Sequence, residues 1–297
     1  MSISLFCQLV VNGLAIGMLY VMIVVGMEMI LRGNRMVNFA HGQVYMLGAY
    51  AFYFGHVVFH IPFFAAVLFA GFSLLALGVV AYVMVFSPMQ KRITVGAPFS
   101  YRLLMSAMTS LGLMMMLQQG ALLVFGTGEK GVTSVYPQML SYGEIAISLE
   151  RVVIILFSLS VCFLLYLLFF KTRIGKAMRA VSFDAEVSSL LGVNTFWTNV
   201  FSFAGGCALA GMAGAMIAPV AGVAPEMGNG VITMALLIMV VGGLGSYKGA
   251  VTGGILVGLV LSFGFHFLGG LSELVFFVSV IVFVIFRPGG VFGEAFD

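Results

Sequence analysis

The sequence predicts an all-α fold, a polytopic bundle of transmembrane helices, on three observations. Apolar residues make up 62% of the chain and charged residues only 8%, against about 25% charged in a soluble globular domain, so a water-facing surface cannot be built from this supply. The apolar residues come in long blocks, such as Leu5 to Leu31 and Val152 to Phe170, and about 20 of them, rising 1.5 Å each in a helix, cross a hydrocarbon core. Polar breaks separate these blocks along the whole chain.

Taken in order, the breaks leave apolar segments at about 5–31, 36–59, 63–86, 103–125, 152–170, 196–218, 231–243, 250–268 and 272–286, about nine crossings in one transmembrane domain over 1–297. The first has no Lys or Arg ahead of it and is too long for a signal-peptide core, so it reads as a retained span; Cys7 makes no convincing lipobox. Segment 231–243 is short for a full span. The N-terminus is placed outside and the C-terminus inside. Arg32, Arg35, Lys91, Arg92, Arg102, Lys171, Arg173, Lys176, Arg179, Lys248 and Arg287 then face the cytoplasm, while only Lys130 and Arg151 face out, the asymmetry that short cytoplasmic loops show. Glu129, Glu144, Glu150, Glu226 and Glu273 gather on the outer side.

Glycine takes 38 of 297 positions, near twice its usual share. It recurs at small-xxx-small spacing, Gly13 with Gly17, Gly249 with Gly253 and Gly254 with Gly258, which lets helix backbones approach closely in lipid. Packing within the chain is the better reading and subunit contact the alternative. A weak internal echo pairs span 13–31 and the segment after it with span 205–218 and its successor, the two entering the membrane from opposite sides as an inverted-topology repeat requires.

Several classes of function are excluded. The net charge of +3 is small and the basic residues form no run suited to a phosphate backbone, so nucleic acid is no partner. Cys7, Cys162 and Cys207 each sit in an apolar block without metal-ligand spacing and read as packing residues; no metal or cofactor is implied. The run Gly242-Gly243-Leu244-Gly245-Ser246-Tyr247-Lys248-Gly249 lacks the Gly-Lys-Ser/Thr end of a nucleotide-binding loop, so the chain does not hydrolyse ATP by itself, and catalytic signatures are missing.

Ionisable and polar groups inside the membrane are functional suspects because burying them costs several kcal/mol. Glu28 lies four residues before Arg32, the spacing of an ion pair on one helix face, with a direct role in solute or proton movement as the alternative. Asn38, His41, Gly42 and Gln43 put amide and imidazole groups at the start of an apolar span, where helix N–H groups are also unpaired, an opening that can hold a carboxylate. The bland alternative is that Asn38 caps a helix and His41 is solvated at the interface. From Ala218 to Val231 the chain is broken by Pro219, Gly222, Pro225, Gly228 and Gly230, either an ordinary outer loop or irregular backbone lining a pathway. The basic connection from Lys171 to Asn194 contains a short helix expected over Ala185 to Leu191, capped by Asp184 and ended by Gly192 in the left-handed conformation. Val187, Leu190 and Leu191 fall on one side of it and Glu186 and Ser189 elsewhere, an apolar edge that docks onto another protein or packs under the chain's own bundle.

These motifs resemble the LivH-type permeases of ATP-binding-cassette importers for branched-chain amino acids. The likeness is carried by Asn12-Gly13-Leu14-Ala15-Ile16-Gly17, by Val37-Asn38-Phe39-Ala40-His41-Gly42 with Tyr45 to Tyr50, and by Gly175, Arg179-Ala180, Asp184 and Leu191-Gly192-Val193. Gly242 to Ser246 with Gly249-Ala250, and Arg287-Pro288-Gly289-Gly290-Val291-Phe292-Gly293, complete it. It implies a permease subunit in the cytoplasmic (inner) membrane, with a second permease subunit, two cytoplasmic ATPase subunits and a periplasmic substrate-binding protein as partners. Loop 171–195 is then the coupling loop, through Arg179, Asp184, Ala185, Glu186, Leu190, Leu191 and Gly192, and Asn38, His41, Gly42, Gln43, Pro225 and Gly228 are candidates for the pathway. The sequence departs from the family's pattern at Glu28 and around Arg32-Gly33-Asn34-Arg35. Relatives that carry urea, amides or aromatic acids are the alternative within the family. A stand-alone proton-coupled carrier with Glu28 and His41 as its relay is the alternative outside it.

Overall fold

The computed structural model describes residues 3–93, 99–136, 138–142, 145–287 and 289–292; Glu144, Pro288 and Gly293 lie outside the described residues. Each of the nine apolar segments is helical. They correspond to α1 (Ile3–Asn34), α2 (His41–Tyr53), α3 (Phe63–Ala81), α5 (Phe99–Phe125), α6 (Leu149–Lys171), α9 (Thr195–Ala221), α10 (Met227–Gly242), α11 (Tyr247–Leu268) and α12 (Ser272–Phe286). Between them lie α4 (Ser87–Arg92), α7 (Arg173–Phe183) and α8 (Ala185–Leu190). Among the described residues six helical stretches are long and apolar enough to cross a membrane, at 3–34, 63–92, 100–125, 149–171, 195–221 and 247–286. The chain is an all-α, multi-pass integral membrane protein. The helices α2 and α10 fall outside those six, and this is where the structure departs most from the even row of spans in the sequence. A short antiparallel pair of strands, β1 (Met139–Tyr142) with β2 (Ile145–Ser148), was not foreseen; four residues each are too few to announce a strand by pattern.

The helices form two compact units. The first comprises Met1–Val25, Thr133–Cys162 and Thr233–Asp297. Its seam is the small-residue pattern of the sequence. A methyl carbon placed on Gly17 would lie 2.9 Å from the Gly254 carbonyl oxygen, and one on Gly13 2.8 Å from the Leu259 Cα, so α1 and α11 touch backbone to backbone. That leaves no room for a side chain, and the close approach maximises dispersion contact where lipid supplies no hydrophobic drive. The Gly242–Ser246 run is the turn joining α10 to α11: Gly243 and Gly245 sit at φ of 99° and 77°, and the Ser246 side chain caps α11 by accepting from Gly249 N. After Arg287 the chain returns to this turn, where Val291 N donates to Val241 O at 2.9 Å and Phe292 N to Gly242 O at 3.0 Å. The glycine-rich run is therefore a structural corner.

The second unit comprises Gly26–Val132 and Phe163–Ile232. Its centre is α9, buried along most of its length and packed against both α2 and α3. Alanine and glycine dominate its buried face, and Gly206 meets the Gly26 backbone of α1 at 2.5 Å from a would-be methyl. Aromatic rings close the unit, Phe86 on Phe203 with centroids 4.7 Å apart and Tyr50 stacked on Phe125 at 4.1 Å. Two π-helical turns, Phe54–Val58 after α2 and Tyr82–Phe86 after α3, widen these helices where they meet α3 and α9, the kind of interruption that recurs at functional sites.

Candidate functional site

The start of α2 lies inside the protein. Asn38 accepts Ala40 N on its Oδ1 at 3.1 Å, an Asx turn that reverses the chain after α1, while its O accepts His41 N at 3.2 Å. The imidazole of His41 then packs beside Gly26, with a would-be methyl there 3.2 Å from Nε2. Gly26 precedes the end of α1 by eight residues, about 12 Å along a helix rising 1.5 Å per residue. The first turn of α2 therefore lies buried alongside α1, well back from its end. His41 and Gln43 are 0% exposed and Asn38 3%, so His41 is not solvated at an interface and Asn38 caps a turn in place of the helix.

A second interrupted helix begins against the first. Lys130 and Val223 exchange both backbone hydrogen bonds, Lys130 N to Val223 O at 2.8 Å and Val223 N to Lys130 O at 3.0 Å, and Gly222 at φ 73° permits the bend. The break at 218–231 is thus tied to the loop after α5, with Pro225 buried, and α10 starts at Met227. Gly42 and Gly228 face each other so closely that a methyl on either would overlap the other's carbonyl oxygen. The Gln43 Nε2 donates to Asn229 Oδ1 at 2.8 Å across the same junction, and Gln43 Oε1 is buried without a donor. The structure brings Gly42, Gln43 and Gly228 together, and adds Asn229, which the sequence reading missed because it lies unmarked between two helix-breaking glycines. Asn38 stands apart: it is the amide in the wall of an otherwise apolar cavity of about 150 Å³ between α2, α3, α5 and α9, and its Nδ2 has no acceptor.

Two helix N-termini meeting within the protein, beside the amides of Gln43 and Asn229, concentrate partial positive charge and polar groups there. Such a junction can hold the polar end of a small solute. Glu28, 3% exposed, and half-buried Arg32 lie one turn apart on α1 below this junction.

The connection after α6 forms two helices. Thr172 caps α7 through Gly175 N, and Arg179 donates to Phe169 O while its guanidinium lies 5.6 Å over the Phe170 ring, so it fastens α7 to the end of α6. The apolar residues Ile174, Met178 and Val181 recur at helical spacing and were the unread signal for α7. Asp184 caps α8 by accepting from Glu186 N at 2.8 Å and Val187 N at 3.0 Å; α8 ends at Leu190, and Gly192 follows at φ 85°. Leu190 is 83% exposed, Leu191 79% and Val187 51%, beside exposed Ala185 and Glu186. The apolar edge is not packed under its own unit.

Interrupted buried helices within a multi-pass bundle are the architecture of a membrane permease, a protein that moves a solute. The chain belongs to the family described as branched-chain amino acid transport system, permease component, which matches residues 9–286. It is 30% identical to the high-affinity branched-chain amino acid transport system permease protein BraD of Pseudomonas aeruginosa over 97% of this chain and 96% of that protein. It is 27% identical to the permease protein LivH of Escherichia coli K12, again over 97% and 96%. The probable LivH of Methanocaldococcus jannaschii is 31% identical over 43% of this chain and 44% of its own length. No solved structure matched the chain.

Proposed function

We propose that this chain is one permease subunit of an ATP-driven importer of branched-chain amino acids in the cytoplasmic (inner) membrane. The observation that carries the reading is the family match over 9–286, with full-length relatives whose names give that solute class. A second permease subunit completes the pore, a periplasmic binding protein delivers the solute, and two ATPases dock on the 171–195 loop. The bare edge of Val187, Leu190 and Leu191 supports that docking, and Asp184 and Gly192 set the ends of the helix that carries it. Nine helical segments support about nine crossings, and the distribution of Lys and Arg among the loops supports an N-terminus outside and a C-terminus inside, with the two halves as inverted repeats. The pathway runs past Asn38, His41, Gly42, Gln43, Pro225 and Gly228, and the close seam of α2 with α10 is its closed point. The test is uptake of labelled leucine into proteoliposomes. With the partner subunits and binding protein, uptake is expected to require ATP. Uptake by this chain alone, driven by a proton gradient without ATP, would show a stand-alone carrier instead.

Within this reading Glu28 and Arg32 form an ion pair that steadies α1. Glu28→Gln is expected to cost about 1–3 kcal/mol of stability, the range for leaving a buried polar group without its partner, with solute selectivity unchanged. Thermal melting in detergent and competition by unlabelled amino acids check the two halves. Altered selectivity at normal melting temperature would assign Glu28 to the pathway.

A further inference from the structure

Three of the spanning stretches leave most of their surface bare, and to the same degree: α5, α6 and the stretch of α11 with α12. A helix bare to lipid has to be strongly apolar, and α6 and the α11–α12 stretch are. The helix α5 is not; it is the least apolar of the six. Part of its polarity faces inward. Ser106 and Ser110 are 0% exposed, Ser106 donating to Leu103 O at 2.8 Å and Ser110 accepting from Phe39 N at 3.0 Å just before α2. The rest lies on the opposite side. Leu104, Met108, Gly112, Met115, Gln119 and Leu123 recur at intervals of three or four residues, one stripe along the helix, and all six are exposed.

Gln119 is the group that lipid cannot answer. Its side-chain amide carries two donor hydrogens and an acceptor oxygen, and among the described residues nothing bonds to it. Hydroxyls on the other two bare stretches return to their own helix: Ser160 donates to Leu156 O at 2.8 Å and Ser279 to Val275 O at 2.7 Å. The stretch 100–125 has 26 residues and so runs about 39 Å, against a hydrocarbon core of about 30 Å. Set evenly across that core it leaves about 4–5 Å over at each end, and Gln119, about 9 Å along the axis before Phe125, falls inside. An unpaired amide there is costly, whereas one bonded to a side chain of a neighbouring helix is a stabilising membrane contact. Next to it Gly112 has nothing within 4 Å of a would-be methyl, and the flexible side chains of Met108 and Met115 adapt readily to an incoming surface. We infer that the second permease subunit covers this stripe, with a spanning helix that presents a hydrogen-bonding side chain to Gln119. The inference rests on the function proposed above, in which that subunit is the one protein partner lying within the membrane. A second copy of this chain fits less well. Arg92 shares a groove with Tyr101 at the start of α5, so two copies joined along the stripe bring their basic ends together, and residues 29–128 hold no Asp or Glu to offset the charge.

The experiment places the photoreactive residue p-benzoylphenylalanine at Met115 in the assembled importer in its membrane, with Leu159 of α6 as the control position. Light is expected to crosslink position 115, and not position 159, to the second permease subunit. A second measurement uses Gly112→Leu and Gln119→Leu, both of which make the stripe more apolar and so suit it better to lipid. Each variant is expected to reach the membrane at the normal level yet to retain at least tenfold less of the second subunit on affinity purification. Crosslinking from position 115 to a second copy of this chain, or to lipid alone, overturns the inference, and so does undiminished retention by both variants. In those cases ATP-dependent leucine uptake by the unsubstituted importer leaves the proposed function intact. Absence of that uptake, or of any second permease subunit co-purifying with the unsubstituted chain, overturns the proposed function itself.

Discussion

Gly228→Val is expected to reduce leucine uptake at least tenfold while the protein still inserts in the membrane. The Gly228 Cα lies against the Gly42 carbonyl, with Gln43 Oε1 3.1 Å from a would-be methyl, so a branched side chain has to push α10 away from α2. Overpacking a close helix contact costs typically 1–3 kcal/mol even where side chains can yield, and here the obstacle is backbone. The shift also breaks the 2.8 Å bond from Gln43 to Asn229, leaving further buried amide groups unpaired at about 1–3 kcal/mol. Gly230→Val is the control, because nothing lies within 4 Å of a methyl there. Uptake by the two variants at matched membrane levels checks the prediction, and equal rates would remove the α2–α10 seam from the transport cycle.

The second large effect concerns the docking helix. Burying a Leu side chain is worth about 1.5–3 kcal/mol, so removing two from one interface amounts to about 3–6 kcal/mol, or two to four orders of magnitude in affinity. Leu190→Asp with Leu191→Asp is therefore expected to abolish co-purification of the ATPases and ATP-driven uptake together. Both side chains are about four-fifths exposed in the isolated chain, so the fold and insertion should be unaffected. Asp184→Ala acts more gently. It removes the acceptor for Glu186 N and Val187 N, a cap worth about 1 kcal/mol, and should weaken ATPase retention roughly five-fold. Pull-down with tagged ATPase distinguishes the graded outcome from the complete one, and undiminished co-purification of the double variant would exclude α8 as the docking element.

Much of the helical framework could be read from composition because a membrane-spanning helix announces itself by length and apolarity alone. Segment 272–286 coincides with α12, and Asp184 and Gly192 mark α8 because caps are local chemistry. Depth was not legible. The residues Asn38 to Gln43 look like an ordinary helix entry, and only the packing of His41 beside Gly26, fifteen positions earlier, shows that the entry is buried inside the protein. Nor could sequence pair Gln43 with Asn229, since each alone reads as a polar residue near a helix end. The strand pair after α5 and the helix α7 went unread for a different reason: both are short, and their patterns are weak beside the spans around them.

The glycine seam between α1 and α11 also dictates when the protein can finish assembling. Gly13 and Gly17 are made well before Gly254 and Gly258, against which they lie. Until α11 is made, the grooved face of α1 lacks the helix that fills it. That unit is completed only with α11, however early its first helix inserts. A nascent chain arrested before residue 247 carries an unfilled groove along α1, a mark by which membrane quality control can separate incomplete chains from finished ones.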